Sequence, residues 1–287
     1  MDDHQNGGSN PHRSGPRVEN DTSAAKRMLP DSLMVRQRGP VALLRLSRPA
    51  KANAIDEEMI AGIKSFFTAL PEGTRAVIVH GEGKHFSAGA DLAGMSGAGA
   101  VLRRSRTAHS AFDQVEYGTV PAIAVLHGAV IGAGLELAAA AHIRVAERSA
   151  YYALPEGMRG IFVGGGAAVR VPRLIGTARM IDMMLTGRTY PAEEGARLGF
   201  SQYLVDDGQG LTKAIELAEQ MATNAVLSNF GVLQALPRIA RVDPEAGLLL
   251  ESLMVAIAAS DEEAQARLRA FLEKRAPKAL HSATAVE

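Results

Sequence analysis

The chain has 287 residues, 47% of them apolar, which suits one large core or a core with an appendage. Lys plus Arg and Asp plus Glu balance at 31 each, so net charge points to neither nucleic acid nor an anionic membrane. Cys is absent, which excludes disulfides, thiolate metal sites and a Cys nucleophile; without an apolar signal core or a run of about 18 apolar residues, a soluble cytoplasmic protein is expected.

Residues 1–30 are polar and rich in Gly, Pro and Asn, and read as a disordered tail in which His4 and His12 are solvated. Leu33–Val35 and Val41–Leu46 read as paired strands, with Arg36–Pro40 as the turn. Pro49 then breaks the strand, and Asp56 is positioned to cap a helix to about Leu70. Ile60, Ile63, Phe66, Phe67 and Leu70 form its apolar stripe. Arg75–His80 is a short apolar strand, and Lys84–Leu92 is a turn of small residues ending in an acid. Gly94–Gly99 reads as a flexible loop, Arg103–Tyr117 as a helix and Pro121–Leu126 as a buried strand.

A glycine-rich loop, Gly128–Gly134, leads into a helix over Leu135–His142, followed by a strand at Ile143–Ala146. Residues 164–174, 178–186 and 192–198 read as helices, and Ser201–Val205 closes the strand series. From Gly210 onward helices are expected at Leu211–Thr223, Glu245–Ala259 and Glu262 to about Lys274. Strands alternating with helices, then helices alone, predict an α/β core over residues 31–209 with a helical region over 210–287.

Two loops have the character of anion sites. Ala88–Asp91 and Gly132–Gly134 carry little side-chain bulk, so their backbone N–H groups are open to a ligand. Converging on one oxygen they would make an oxyanion hole; otherwise their glycines serve tight turns. Glu136 stands in the first turn of an apolar helix, either as a surface partner of the helix dipole or as a buried carboxylate, which needs a reason. Glu156 follows Pro155 in an apolar stretch, either as a loop acid or as a fixed one. Two carboxylates in one pocket would titrate as a pair, one protonated while the other is not. That division suits addition of water to an activated double bond. Gly160–Gly166 lacks the spacing of a dinucleotide loop, and no His pair has metal-ligand spacing, so no metal is expected.

These motifs, in this order, resemble the enoyl-CoA hydratase/isomerase, or crotonase, superfamily over about Leu33–Arg275. The resemblance implies an α/β fold, the ClpP/crotonase spiral of ββα units, with a C-terminal helical region used in trimerisation. It implies that Lys51, Ala52, Asn53 and Ala54, in Arg48–Ala54, line the CoA adenine and ribose. Ala90 and Ala133 would supply the oxyanion N–H groups, with Ala88, Asp91, Leu92, Gly132 and Gly164 around the substrate. Most members have Gly where Ala133 stands, and Val163-Gly164 replaces a common Pro-Gly pair. Phe271 and Lys274 would reach the CoA of a neighbouring subunit in a homotrimer or hexamer.

Both family glutamates, Glu136 and Glu156, are present, which favours hydration over the family's other reactions. No permanently bound cofactor is implied; coenzyme A enters as part of the substrate. The runs Glu116–Pro121, Gly134–Ala138, Ala153–Phe162 and Arg179–Arg188 are similar to the methylthioacryloyl-CoA hydratase branch. A general short-chain enoyl-CoA hydratase, a CoA-thioester hydrolase and an RNA-binding protein of the same fold are the alternatives; balanced charge argues against the last.

Overall fold

The structure is a computed structural model that describes residues 29–93 and 97–273. Its strands are β1 (Leu33–Arg38), β2 (Val41–Leu46), β3 (Ala76–Gly81), β4 (Ala122–Leu126), β5 (Ala129–Ile131), β6 (Ile143–Glu147), β7 (Tyr151–Ala153), β8 (Tyr190–Pro191) and β9 (Tyr203–Val205). The helices of the core are α1 (Glu57–Thr68), α2 (Ala98–Glu116), α3 (Ala133–Ala140), α4 (Ala167–Ile175), α5 (Thr177–Thr186) and α6 (Ala192–Leu198). Then come α7 (Gly210–Ala222), α8 (Val226–Phe230), a π turn at Gly231–Ala235, α9 (Leu236–Ile239), α10 (Pro244–Ala259) and α11 (Glu262–Leu272).

The strands form a six-stranded sheet, ordered β1-β2-β3-β4-β6-β9, and a three-stranded sheet, β5-β7-β8. The β1–β2 pair is an antiparallel hairpin, and every later pairing in the large sheet is parallel. Parallel strands buried on both faces are apolar almost without alternation, which is why β2, β3 and β4 read as continuous runs. Their alternate residues still part company. Leu44, Val79 and Ala124 pack with α1, α2 and α3 on one face; Leu43, Ile78 and Ile123 meet Ala214 and Leu217 of α7 on the other.

Each turn of the spiral takes a strand of the large sheet, a short piece of the small one, and a helix. β3 is followed by a Ser87↔Val130 bridge and α2, β4 by β5 and α3, and β6 by β7 and α4. The apolar run Gly128–Gly134 is therefore not a loop throughout: residues 129–131 are a strand of the second sheet. Other boundaries move as well. β1 runs on to Arg38, leaving Gly39-Pro40 as the turn. α2 starts at Ala98, so only residues 94–96 of the expected loop lie outside the described residues, and α4 starts at Ala167. In α1 the Asp56 side chain caps the Met59 N–H at 2.8 Å, as its position predicts. Met59 joins the buried stripe and Leu70 is only partly buried. The expected tail, with His4 and His12, lies outside the described residues up to residue 28.

Candidate active site

A cavity of about 520 Å³ opens between α2, the N-terminus of α3 and the segment 161–165. Ala90, Leu92, Ala133, Glu136, Glu156 and Gly164 all line it. Two acids and both small-residue loops, far apart in sequence, thus meet in one space. The rest of its wall is mostly apolar, with Ser105, Ala108 and Phe112 on one stripe of α2.

Glu136 is 4% exposed, so the surface-acid alternative is removed. Its Oε1 accepts the N–H groups of Gly165 at 2.7 Å and Ala167 at 3.1 Å. Ala167 opens α4, whose N-cap Gly166 has no side chain to satisfy a free helix N–H; Glu136 does so from another helix. The approach is close: a Cβ on Gly165 would stand 2.5 Å from Glu136 Oε2 and 2.9 Å from the Phe112 ring.

Glu156 arrives differently. It follows β7 and the fully buried Leu154, at the entry to a short 3-10 turn over Gly157–Arg159. Its Oε2 is buried and has no hydrogen-bond partner among the described residues. Burial pushes its carboxyl above the usual value, and the charge of Glu136 pushes the same way. Glycine at 132 makes room for it: a Cβ there would lie 2.7 Å from Glu156 Oε1, and φ is +51°.

The two loops abut. A Cβ on Gly89 would be 3.1 Å from Ile131 O and 3.8 Å from Ala133 N. Ile55 takes its bonds from the neighbours of Ala90, donating to Gly89 O and accepting from Asp91 N, so the Ala90 N–H points away from Ile55. Ala133 is the first residue of α3, where an N–H has no partner within the helix. Two amides with no partner among the described residues therefore stand at the cavity wall, one of them at a helix N-terminus.

The Arg48–Ala54 segment is tied to the Ala88–Asp91 loop. It makes a 3-10 turn over Pro49–Lys51, and Ala52 and Asn53 have positive φ. Asp91 accepts from Arg48 at 3.0 Å and Lys51 at 3.2 Å, and these bonds hold its carboxyl down to about 2. Asn53, expected beside the CoA, is placed within this segment. It is fully buried, accepting from the Arg48 N–H and donating to Glu82 O and His85 O, so its side chain secures the loop. Ser87, equally buried, donates to Asn53 O. Lys51, Ala52, Ala54, Ala88, Asp91 and Gly132 lie outside the cavity lining. Phe271 is 67% exposed at the end of α11 and does not line it either, and Lys274 lies outside the described residues.

Several residues at the site escape a reading of the sequence. Gly165 and Ala167 act through backbone N–H groups, which residue identity does not advertise. Ser105, Ala108 and Phe112 fall within the helix expected over Arg103–Tyr117 at i, i+3, i+7 spacing, a stripe that by itself reads as core rather than as a cavity wall.

Fold and site together define a class. Two sheets wound in ββα turns, followed by helices, make the α/β crotonase fold. The profile described as enoyl-CoA hydratase/isomerase matches residues 36–280, and the chain belongs to that family. A Rhodopseudomonas palustris structure, described as a candidate enoyl-CoA hydratase, is 57% identical, covers 85% of this chain and 95% of its own, and superposes with a TM-score of 0.83. Enoyl-CoA hydratase EchA19 of Mycobacterium tuberculosis is 31% identical over 86% of this chain and 96% of its own. The 2,3-dehydroadipyl-CoA hydratase of Escherichia coli is 30% identical over 85% and 97%. Hydratase-type chemistry on an acyl-CoA thioester follows from this membership.

Proposed function

We propose that the protein hydrates the α,β double bond of a short acyl-CoA, with methylthioacryloyl-CoA as its substrate. The observation that carries the reaction is the meeting of Glu136 and Glu156 beside the free amides of Ala90 and Ala133. The acyl group rests on the sequence similarity of the Glu116–Pro121, Ala153–Phe162 and Arg179–Arg188 runs to that branch.

In this reading the thioester carbonyl sits between the Ala90 and Ala133 N–H groups. Charge that develops on its oxygen is stabilised there, and the β-carbon becomes electrophilic. Glu136, fixed by two backbone donors, orients a water and takes its proton as the oxygen attacks. Glu156, whose raised carboxyl keeps its proton to higher pH, delivers that proton to the α-carbon. With a methylthio group on the β-carbon, the adduct is a hemithioacetal that expels methanethiol and leaves an aldehyde. Hydrolysis of the thioester would then release CoA.

Glu136→Gln and Glu156→Gln should each fold normally and lower kcat by about 10²–10⁴-fold, measured by loss of the enoyl-thioester absorbance. Full activity in either variant removes that residue from the mechanism. A second reading is a general enoyl-CoA hydratase. The exposed apolar side chains of Leu102 and Phe162 on the cavity wall favour it, since they would take larger acyl groups. A panel of crotonyl-, longer enoyl- and methylthioacryloyl-CoA, compared by kcat/KM, separates the two.

The C-terminal helices support a homo-oligomer. Leu248, Leu249 and Val255 of α10 are each more than 60% exposed, as are Leu272 and Phe271 of α11. Exposed apolar side chains of this number on two helices are suited to burial against another copy. Sedimentation should give a trimer or a hexamer; a monomer at micromolar concentration would contradict this.

A further inference from the structure

Arg170 of α4 is 6% exposed, a buried charge that the mechanism above does not use. Its three nitrogens are spent on three partners. Nε donates to Glu116 Oε2 at 2.6 Å, Nη2 to Asp113 Oδ1 at 2.5 Å, and Nη1 to the backbone carbonyl of Gly165 at 3.1 Å. The first two partners lie on α2, which forms one wall of the cavity. The third is the residue whose N–H holds Glu136.

The guanidinium lies directly under the turn. A Cβ on Gly166, where φ is +108°, would stand 2.1 Å from Arg170 Nη1, so the backbone and the cation occupy adjoining space with no side chain between. Gly165 donates to Glu136 from one side and accepts from Arg170 on the other. Gly164, one residue earlier, accepts from Ser105 of α2 at 2.7 Å. Glycines on their own leave a turn with many conformations. A planar, permanently charged fork anchored on two carboxylates restricts it.

We infer that Arg170 is a positioning residue for Glu136, fixing the Gly165–Ala167 turn whose amides hold that carboxylate. The inference rests on the hydratase reading for its kinetic consequence but not for its structural one. A guanidinium is required, because a lysine ammonium is a point donor and cannot meet Glu116, Asp113 and Gly165 O in one plane. The chain of contacts reaches further out. Glu116 also accepts from Arg241 at 3.0 Å, and Arg241 donates to the Tyr117 hydroxyl at 2.5 Å, so the segment after α9 abuts the same anchor.

The alternative is a staple that joins α2 to α4 and matters only for stability. Arg170→Lys and Arg170→Gln, assayed well below their Tm, distinguish the two. A positioning role predicts a fall in kcat of roughly 10–100-fold with KM changed less than about threefold, because substrate binding does not pass through Arg170. Deuterium uptake should rise over residues 163–169 and stay unchanged across β2, β3 and β4. If Arg170→Gln does not fold, Glu116→Gln and Asp113→Asn loosen the same guanidinium and should show the same pattern at about 3–10-fold. A kcat within twofold of the parent, or uptake that rises across the whole core, overturns the inference. If the parent itself hydrates no enoyl-CoA, the functional reading fails, and the local uptake measurement still decides the role of Arg170.

Discussion

The turns that carry Glu136 and Glu156 place the same side chain in opposite circumstances. Around Glu136 the protein supplies donors: Gly165 and Ala167 hold one oxygen, and Arg170 braces the residue that donates. Around Glu156 it supplies fewer: Oε2 is buried without a partner among the described residues, and burial and the charge of Glu136 raise the carboxyl against the pull of its own backbone N–H. A carboxylate fed by donors is a fixed acceptor, suited to hold a water. A carboxyl starved of them prefers its proton, suited to give it away. In the proposed mechanism the base and the acid thus differ in hydrogen bonding, burial and the charge each meets.

Glycine keeps both circumstances possible, so adding one methyl at a time tests the contrast. Gly132→Ala should have the largest effect. Its Cβ would fall 2.7 Å from Glu156 Oε1, and φ of +51° strains any other residue. Ala133, an oxyanion donor in the proposed mechanism, is next in the chain. A loss of roughly 10²–10³ in kcat is expected. Stability should fall by about 1–3 kcal/mol from backbone strain. Gly165→Ala should act on the other acid. A Cβ 2.5 Å from Glu136 Oε2 would displace that carboxylate, lowering kcat by about 10²-fold. Both are read by steady-state kinetics beside thermal melts. If Gly165→Ala retained full kcat, the fit around Glu136 would not matter to turnover.

How much of this could be read from the sequence differs between scaffold and site. The buried strands β2, β3 and β4 were legible because parallel strands covered on both faces are apolar throughout. β5 and β7, at three residues each, are too short to show a period, and β5 lay inside what looked like glycine loop, so the second sheet was not legible. The start of α2 was missed because Gly97 and Gly99 weigh against a helix locally, and packing of Ala108, Ala111 and Phe112 overrides them. At the site, the two acids stood out as charges in apolar company. The donors to Glu136 did not, since backbone N–H groups 29 and 31 residues away are joined to it only by the spiral. The scaffolding part of Asn53 was hidden for the same reason: its side-chain partners at Arg48, Glu82 and His85 are joined to it only by the fold.

The smallest expected effect is thermodynamic. A carboxyl whose folded value lies above its ordinary 4.5 binds protons more tightly in the native state than in the unfolded one. Between 4.5 and that raised value the native state therefore holds the extra proton, and stability declines as pH rises through the window. At neutral pH Glu156 is therefore a cost to the fold. Glu156→Gln keeps the shape and removes the titration. It should melt slightly higher than the parent at pH 7–8, by about 1–2 °C, since solvent at this half-buried group screens part of the penalty. The difference should vanish below pH 4.5, where the parent's Glu156 is protonated in both states. Glu136→Gln provides the contrast: two N–H groups would lose a charged acceptor, and this variant should melt lower at neutral pH. Opposite signs of the two Tm shifts are the signature of one acid satisfied and one deprived. Equal signs would mean that the two turns do not differ in the way their hydrogen bonds indicate.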